Sequence, residues 1–182
     1  WEKAVAYVNQ KGSRKTETHI YLQQDVESSA KTLIFPKYPL TLHGNGYTLH
    51  FAGTTVSLSA DTVLKNVQLE TSAKGGFNLN ASGSLTLEGI NEKQIPEGSY
   101  GIKAVRGAAS KTLTYLDKNV ENPITGFGTV CFGENTEVSA ALTLKKVRVA
   151  AGKTLCLQNT FKADEIRLGE KAGLMPDGSK TV

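Results

Sequence analysis

Short segments of alternating apolar and polar residues recur along most of this 182-residue chain, and their spacing limits the folds available to it. One leucine position recurs at Leu22, Leu42, Leu64, Leu87, Leu113, Leu144 and Leu168, at nearly even intervals first and at longer, less even intervals later. The segments are rich in Val, Thr and Leu and end at Gly, Asn, Ser or Lys, as short half-buried strands do. A period of roughly 22 residues with two or three strands per repeat is typical of a β-solenoid, in which equivalent positions stack on successive coils.

A β-sandwich is the alternative fold, because it also consists of many short strands. Sandwich strands are often joined by two-residue hairpin turns, however, and nothing requires them to recur at one period. The sequence therefore favours an all-β solenoid of about six to seven coils.

The chain begins with its only strong helical pattern, "WEKAVAYVNQKG". Trp1, Ala4, Val5 and Val8 follow the i, i+3, i+4, i+7 spacing of an apolar helix face, and Gly12 is a natural stop. The first coil of a solenoid exposes an open strand edge and the end of its core. We therefore expect residues 1–12 to form an N-terminal capping α-helix, and residues 13–182 to form the β-domain.

Composition and charge narrow the class of protein. Hydrophobic residues make up 39% of the chain, and no apolar run approaches the roughly 20 residues that a membrane-spanning helix needs. The net charge is +4, and the basic residues are scattered without interleaved aromatics, which favours solvated turns over a nucleic-acid surface. No signal segment precedes Trp1, and "GLMPDGSKTV" resembles a coil cut short, so we expect a fragment of a longer protein with further domains.

The regular alternation fades around residues 91–126, where "NEKQIPEGSYGIKAVRGAASK" and "DKNVENPITGFG" carry Pro, Gly and mixed charges. Loops on a rigid scaffold often carry binding residues. Tyr100, Arg106 and Tyr115 are the candidates for ligand contact in this irregular excursion. The alternative is an irregular coil that only covers its own part of the core.

The stretch His43-Gly44-Asn45-Gly46 is predicted to be a corner between two strands of one coil. Gly44 and Gly46 can supply backbone conformations with positive φ, and Asn45 can hydrogen-bond the turn backbone. Asn66 follows at an interval close to one period. We therefore predict a structural ladder of stacked asparagines at this corner rather than a binding site.

Cys131 and Cys156 each lie between two apolar residues, at an interval close to that of the leucine series. If that interval is one coil, their sulfur atoms stack on adjacent parallel strands. The strand spacing of about 4.8 Å lies near the short end of the range for a disulfide, so both a bridge and two free thiols stay open.

Two parts of the chain resemble known β-helix proteins. "LTLHGNGYTLHF", followed one coil later by "TVLKNVQLE", resembles the right-handed parallel β-helix of the pectate-lyase-like superfamily. "WEKAVAYVN" followed by "HIYLQQDV" is similar to the capped start of bacterial cell-surface and secreted β-helix proteins. The resemblance implies a right-handed parallel β-helix with an N-terminal cap, in an extracellular or cell-surface location. That fold hosts enzymes and adhesins alike.

The residues favour a binding role over catalysis. Pectate lyases of this fold use a carboxylate cluster that binds calcium, but no aspartate here pairs with another or repeats at the coil period. Glu70 and Glu88 come closest to a pair, and solvated glutamates on strand faces account for both. His19, His43 and His50 lack the spacing of a metal motif. We assign no catalytic residue, metal or cofactor.

The hypothesis is a non-catalytic extracellular β-helix module of a bacterial surface or secreted protein, acting as a rigid scaffold or an adhesin-like surface. Its expected partner is a glycan or a host surface protein, without nucleic acid or membrane insertion. The alternative is a polysaccharide-processing, pectate-lyase-like enzyme domain or its carbohydrate-binding module.

Overall fold

A computed structural model describes residues 1–90, 100–105 and 110–177, with the backbone alone at Tyr100, and these residues form one helix followed by twenty strands. The helix is α1 (Glu2–Lys11). The strands are β1 (Thr18–Tyr21), β2 (Val26–Ser28), β3 (Thr32–Ile34), β4 (Leu40–His43), β5 (Thr48–Phe51), β6 (Thr55–Leu58), β7 (Thr62–Lys65), β8 (Gln68–Thr71), β9 (Phe77–Ala81), β10 (Leu85–Glu88), β11 (Tyr100–Ala104), β12 (Thr112–Tyr115), β13 (Asn119–Val120), β14 (Ile124–Thr125), β15 (Thr129–Phe132), β16 (Thr136–Val138), β17 (Leu142–Val149), β18 (Thr154–Leu157), β19 (Phe161–Leu168) and β20 (Gly173–Pro176).

The strands stack as parallel sheets along one axis. Sheet A has eight strands in the order β1-β4-β7-β10-β12-β15-β17-β19, and sheet B has five in the order β14-β11-β9-β6-β3. Sheet C contains β13-β16-β18-β20, and sheet D contains β2-β5-β8. Each circuit of the chain returns to sheet A, which gives a parallel β-solenoid of about seven turns. The predicted all-β solenoid with an N-terminal helix is therefore confirmed.

The core is a column of inward-facing side chains that stack from coil to coil. Leu42, Leu64 and Leu87 are in register on successive strands of sheet A, and all three are fully buried. The column continues through the buried Tyr115, Phe132 and Val149, and it ends at Leu168, which is 47% exposed on the edge strand β19. Burial of one such leucine contributes about 2 kcal/mol to folding.

Three members of the predicted leucine series lie outside this column, and variable coil length is the reason. Leu42 pairs with Ile20 and not with Leu22. Leu113 pairs with Leu85, one position of the core face before Leu87. Leu144 pairs with Ala163, in the first part of β17, which does not contact β15.

Coil length changes in the middle of the chain. The first coils, from Ile20 to Leu87, are nearly equal in length. The coil from Leu87 to Tyr115 is the longest in sheet A, and the next coil, from Tyr115 to Phe132, is much shorter. The single period predicted from the sequence therefore holds only for the first coils.

The range 91–126, expected to be irregular, contributes four strands to the sheets of the solenoid within its described part. β11 and β14 belong to sheet B, β12 to sheet A and β13 to sheet C. Residues 91–99 and 106–109 lie outside the described part of the chain.

Helix α1 packs its apolar side against the first coil. The Trp1 ring lies 4.7 Å from the Phe35 ring, centroid to centroid, and its indole Nε1 donates a hydrogen bond to the Ile34 carbonyl at 2.9 Å. Val8 is buried, and the Asn9 side chain accepts a hydrogen bond from the Lys37 backbone N–H. Within the described ranges, no helix is long and apolar enough to cross a membrane.

We predict that Trp1→Ala destabilises the fold because it removes the aromatic contact with Phe35 and leaves space beside the core. The expected loss is about 3 kcal/mol of the free energy of unfolding, as for large aromatic truncations. Urea unfolding measures this difference. Tyr7→Ala is the matched control, since Tyr7 lies on the same helix but is 66% exposed. Equal losses in both variants would contradict a specific role for Trp1.

The corner at residues 43–46 connects neighbouring coils through hydrogen bonds, as the sequence suggested, but with different atoms. The Asn45 side-chain amide donates to the Leu22 carbonyl at 2.9 Å, and the Gly46 N–H donates to the Asn66 carbonyl at 2.8 Å. Asn45 and Asn66 both adopt positive φ, of 54° and 47°. The predicted contact between the two asparagine side chains is replaced by these bonds to the backbone.

The two glycines of this corner have different roles. Gly46 has a φ of 82°, as predicted. Gly44 is absent from the residues with positive φ, so that part of the prediction is wrong. A Cβ atom on Gly44 would lie 2.3 Å from Cα of Val67 on the next coil, so close approach of the two backbones requires glycine here.

We predict that Asn45→Ala lowers stability by about 2 kcal/mol, from one lost hydrogen bond and the cost of left-handed backbone for alanine. For a chain of this size the expected fall in Tm is roughly 4–8 °C. Differential scanning calorimetry measures it. Asn119→Ala is the control, since the exposed Asn119 side chain makes no hydrogen bond among the described residues. An unchanged Tm in Asn45→Ala would contradict the structural role of this corner.

Candidate binding site on the outer face of sheet A

The outer face of sheet A carries rows of side chains, with one residue per strand in each row. Side chains alternate between core and solvent along a strand, and the parallel register aligns equivalent positions on successive strands. The middle row is His19, Thr41, Val63, Thr86, Thr114, Cys131, Arg148 and Arg167. Small uncharged side chains occupy the centre of this row, and two arginines occupy its C-terminal end.

A shallow groove of about 450 Å³ lies at that C-terminal end. Gly133, Ala150 and Gly169 contribute residues with little or no side chain to its lining, and Arg148 and Arg167 contribute the charge. Close packing accounts for the glycines: a Cβ on Gly133 would lie 2.3 Å from the Leu116 side chain. A ligand in the groove can contact the two guanidinium groups. We call this set of residues the basic groove.

The two strands that carry the arginines of the basic groove have more cationic residues than acidic ones. β17 and β19 together carry five cationic residues and two acidic residues, a net +3 in a chain of net +4. Glu165 accepts a hydrogen bond from Nε of Arg167 and lies 3.6 Å from Nζ of Lys146. The side chain of Arg148 is exposed and makes no hydrogen bond or ion pair with another described residue. The groove therefore presents an unpaired guanidinium group beside a second guanidinium.

Glu165 stays ionised near neutral pH. The hydrogen bond from Arg167, together with the positive charges of Arg167 and Lys146, holds the pKa of Glu165 below its ordinary value. One carboxylate thus serves two cations, and neither of its contacts involves Arg148.

Cys131 lies in the same row, between Thr114 and Arg148. Burial raises the pKa of the Cys131 thiol, and the nearby positive charge of Arg148 offsets only part of that effect. The thiol is therefore neutral at pH 7 and is a weak nucleophile there. Cys131 is therefore a small, half-buried and uncharged part of the groove lining.

The predicted stacking of Cys131 and Cys156 is wrong. Cys131 belongs to β15 in sheet A, whereas Cys156 belongs to β18 in sheet C and pairs with Glu137 and Met175. The interval between the cysteines does not equal one coil here, since the chain returns from Cys131 to the next strand of sheet A at Arg148, well before Cys156. Both cysteines are free thiols.

We predict that the purified protein retains both thiols under oxidising conditions, because the two cysteines lie on different sheets. Intact mass should be identical with and without a reductant, and a thiol-reactive label should modify both cysteines after unfolding. The variant Cys156→Ser, which has only one thiol, calibrates the labelling. A reducible internal bridge in the native protein would contradict the placement of these two strands.

The three residues proposed for ligand contact in the range 91–126 do not form a site in the described structure. Tyr115 is only 4% exposed, and its hydroxyl donates to the Asn119 carbonyl, so it is a core residue rather than a surface contact. It occupies the core column between Leu87 and Phe132, where its aromatic ring fills space as the aliphatic side chains do on other strands. Arg106 and the side chain of Tyr100 lie outside the described residues.

Glu70 and Glu88, the closest approach to a carboxylate pair in the sequence, lie on different sheets. Glu70 in β8 of sheet D faces His50, with 3.1 Å between Oε2 and Nδ1. Glu88 in β10 of sheet A lies 2.8 Å from Nζ of Lys65. The two carboxylates therefore point from different faces of the solenoid and do not flank a common substrate.

A larger cleft of about 740 Å³ lies where sheet A turns into sheet C. Several of its acidic residues already have partners: Glu88 pairs with Lys65, Glu134 lies 2.6 Å from Nζ of Lys153, and Asp117 accepts hydrogen bonds from the Gly89 and Ile90 backbone. These contacts connect neighbouring coils. Among the described residues, no arginine lines this cleft, so the basic groove is the better candidate for an anion-binding site.

One feature of the sequence, the alternate spacing of basic residues in β17, points to the basic groove, but the scatter of Lys and Arg along the chain makes it hard to recognise. Lys146 and Arg148 occupy alternate positions of one strand, which places them on one face. Arg167 stands in the same position as Arg148 on the next coil, in a segment with the same alternation. The scatter of basic residues along the chain concealed this cluster, because only the register of β17 and β19 brings Arg148 and Arg167 together.

The chain was compared with protein-family models, with characterised proteins and with solved structures, and none of the three comparisons finds a match.

Proposed function

We propose that this chain is a non-catalytic extracellular β-helix module of a bacterial surface or secreted protein, and that its basic groove binds an anionic glycan. The observation that carries the proposal is the in-register pair Arg148 and Arg167, with no described carboxylate bound to Arg148. Two like charges on adjacent strands repel each other, so a bound anionic partner would offset the electrostatic repulsion that is present in the free protein.

The chemistry of the groove suits acidic sugars. A guanidinium group donates two parallel hydrogen bonds to a carboxylate or a sulfate group, which fixes the orientation of the anion. Adjacent strands are about 4.8 Å apart, so successive anionic groups of one chain could each meet an arginine. The groove, of about 450 Å³, provides the space for sugar rings beside these arginines.

The solenoid also suits the scaffold part of the proposal. Its outer face is built on a ladder of hydrogen-bonded parallel strands, with β1 and β19 as the two edge strands of sheet A, so little backbone conformational entropy is lost when a ligand binds to it. The basic groove favours binding over catalysis because glycoside hydrolysis needs two carboxyl groups roughly 5–10 Å apart on one substrate. Among the described residues, no Asp or Glu lines this groove.

We predict that the protein binds polygalacturonate and dextran sulfate but not neutral dextran, and that the affinity falls as salt concentration rises. The double variant Arg148→Gln/Arg167→Gln should lose at least about tenfold in affinity, since each charge-assisted hydrogen bond contributes about 1.5–3 kcal/mol. Biolayer interferometry on immobilised polysaccharide measures both effects.

Arg14→Gln is the matched control, because Arg14 is an exposed arginine at the opposite end of the solenoid. It lowers the net charge without touching the groove and should retain nearly full affinity. If Arg14→Gln loses as much affinity as either groove substitution, binding depends on net charge and the groove is not the site. Release of unsaturated or reducing sugars from polygalacturonate would overturn the non-catalytic part of the proposal.

A further inference from the structure

Two histidines meet at the other end of the outer face of sheet A, far from the basic groove. His19 is in β1 and His43 is in β4, on adjacent strands. Nδ1 of His19 and Nε2 of His43 are 3.1 Å apart, at hydrogen-bonding distance. The ring centroids are 5.4 Å apart and the planes differ by 28°, so the rings lie side by side rather than face to face.

The strand register and a neighbouring aromatic ring hold this pair in place. His19 pairs with Thr41, and Tyr21 pairs with His43, so the two imidazoles extend from diagonal positions of one parallel ladder. The Tyr21 ring stacks on the His43 ring, with 4.3 Å between the centroids and 7° between the planes. His43 is half-buried and His19 is exposed, so one imidazole is held and the other is open to solvent.

We propose that His19 and His43 together bind a divalent transition-metal ion, with Cu²⁺ preferred. Two imidazole nitrogens about 2.0–2.1 Å from one metal are roughly 2.8–3.4 Å apart for angles between 90° and 109°, and the observed 3.1 Å lies in that range. Imidazole suits Cu²⁺, Ni²⁺ and Zn²⁺, and affinity for a given site is highest for Cu²⁺.

Binding replaces the hydrogen bond between the two rings. One nitrogen of the pair carries a proton when the rings are hydrogen-bonded. When the metal takes that position, the proton leaves that nitrogen and the other nitrogen of the same ring takes one up from water, so both imidazoles ligate in their neutral form. The metal lies off the line that joins the nitrogens, so each ring must turn within its plane. A turn within the plane keeps the Tyr21 ring stacked on His43.

The protein supplies two ligands, and water fills the remaining positions. Within residues 1–90, 100–105 and 110–177, no group of three or more His, Cys, Asp or Glu side chains could hold a metal ion. The nearest position on the next strand is Lys65, whose ammonium group lies 2.8 Å from Glu88. That ion pair offsets the positive charge that would otherwise oppose a cation beside His43. The site has open positions that a ligand of the metal can occupy.

The test uses isothermal titration of the intact, tag-free protein with CuCl₂ at pH 7.5, and electron paramagnetic resonance of the bound ion. We expect one equivalent of Cu²⁺ with nitrogen ligation, and a rise in Tm with the metal because it links the first two coils. His19→Gln and His43→Gln should each lower the affinity at least tenfold. His50→Gln is the matched control, since His50 lies on sheet D and contacts Glu27 and Glu70 instead.

Each outcome decides the proposal. Loss of binding in both pair variants, with binding retained in His50→Gln, supports it, provided that the metal-free Tm of the variants shows that they are folded. Binding that survives in His19→Gln and His43→Gln, or that is absent from the wild type, overturns it. Arg148→Gln/Arg167→Gln should still bind one Cu²⁺, so failure of the anionic-glycan proposal and failure of this one are distinguishable.

Discussion

The parallel register between successive coils is the constraint on which this structure depends. Each strand donates and accepts main-chain hydrogen bonds with the strand one coil away, and this ladder stacks like side chains on each other. Stacked leucines such as Leu42, Leu64 and Leu87 then lose nearly all contact with water. The same register leaves the backbones too close for a side chain at Gly44, beside Val67. A shift by one residue would expose the apolar column and bury the outer rows, so packing fixes the register strongly.

The register also determines what the outer face can do. It places one residue of every coil in a row, at intervals of about 4.8 Å, and therefore converts positions far apart in sequence into neighbours. At one end of sheet A this brings together Arg148 and Arg167, and at the other end it brings His19 beside His43. In the middle row, small neutral side chains lie between these two ends. The two ends have different chemistry on one sheet, and the arginines and histidines that supply it lie on strands.

Much of the fold was predictable because its signals are local. The alternation of apolar and polar residues follows from the two-residue repeat of a strand, and the stop at Gly12 marks the end of the only long helical pattern. The nearly even recurrence of leucine in the first half of the chain indicated stacked coils. The candidate site was far less predictable. Tyr115 looked like a binding residue because Pro, Gly and charges surround its segment, yet it fills the core in place of a leucine.

The sequence by itself determined that this protein is a solenoid with an N-terminal helix, since both conclusions need only local periodicity and its recurrence. The tertiary structure alone decided which residues of different coils meet. Register depends on the length of every corner between two equivalent strands, and the coil that ends at Tyr115 is much longer than the one that follows it. That variation separates Cys131 from Cys156 and places Arg148 beside Arg167. The number of residues in each corner depends on how its backbone packs against the neighbouring coil. That contact joins segments far apart in sequence, so a local sequence pattern does not predict it.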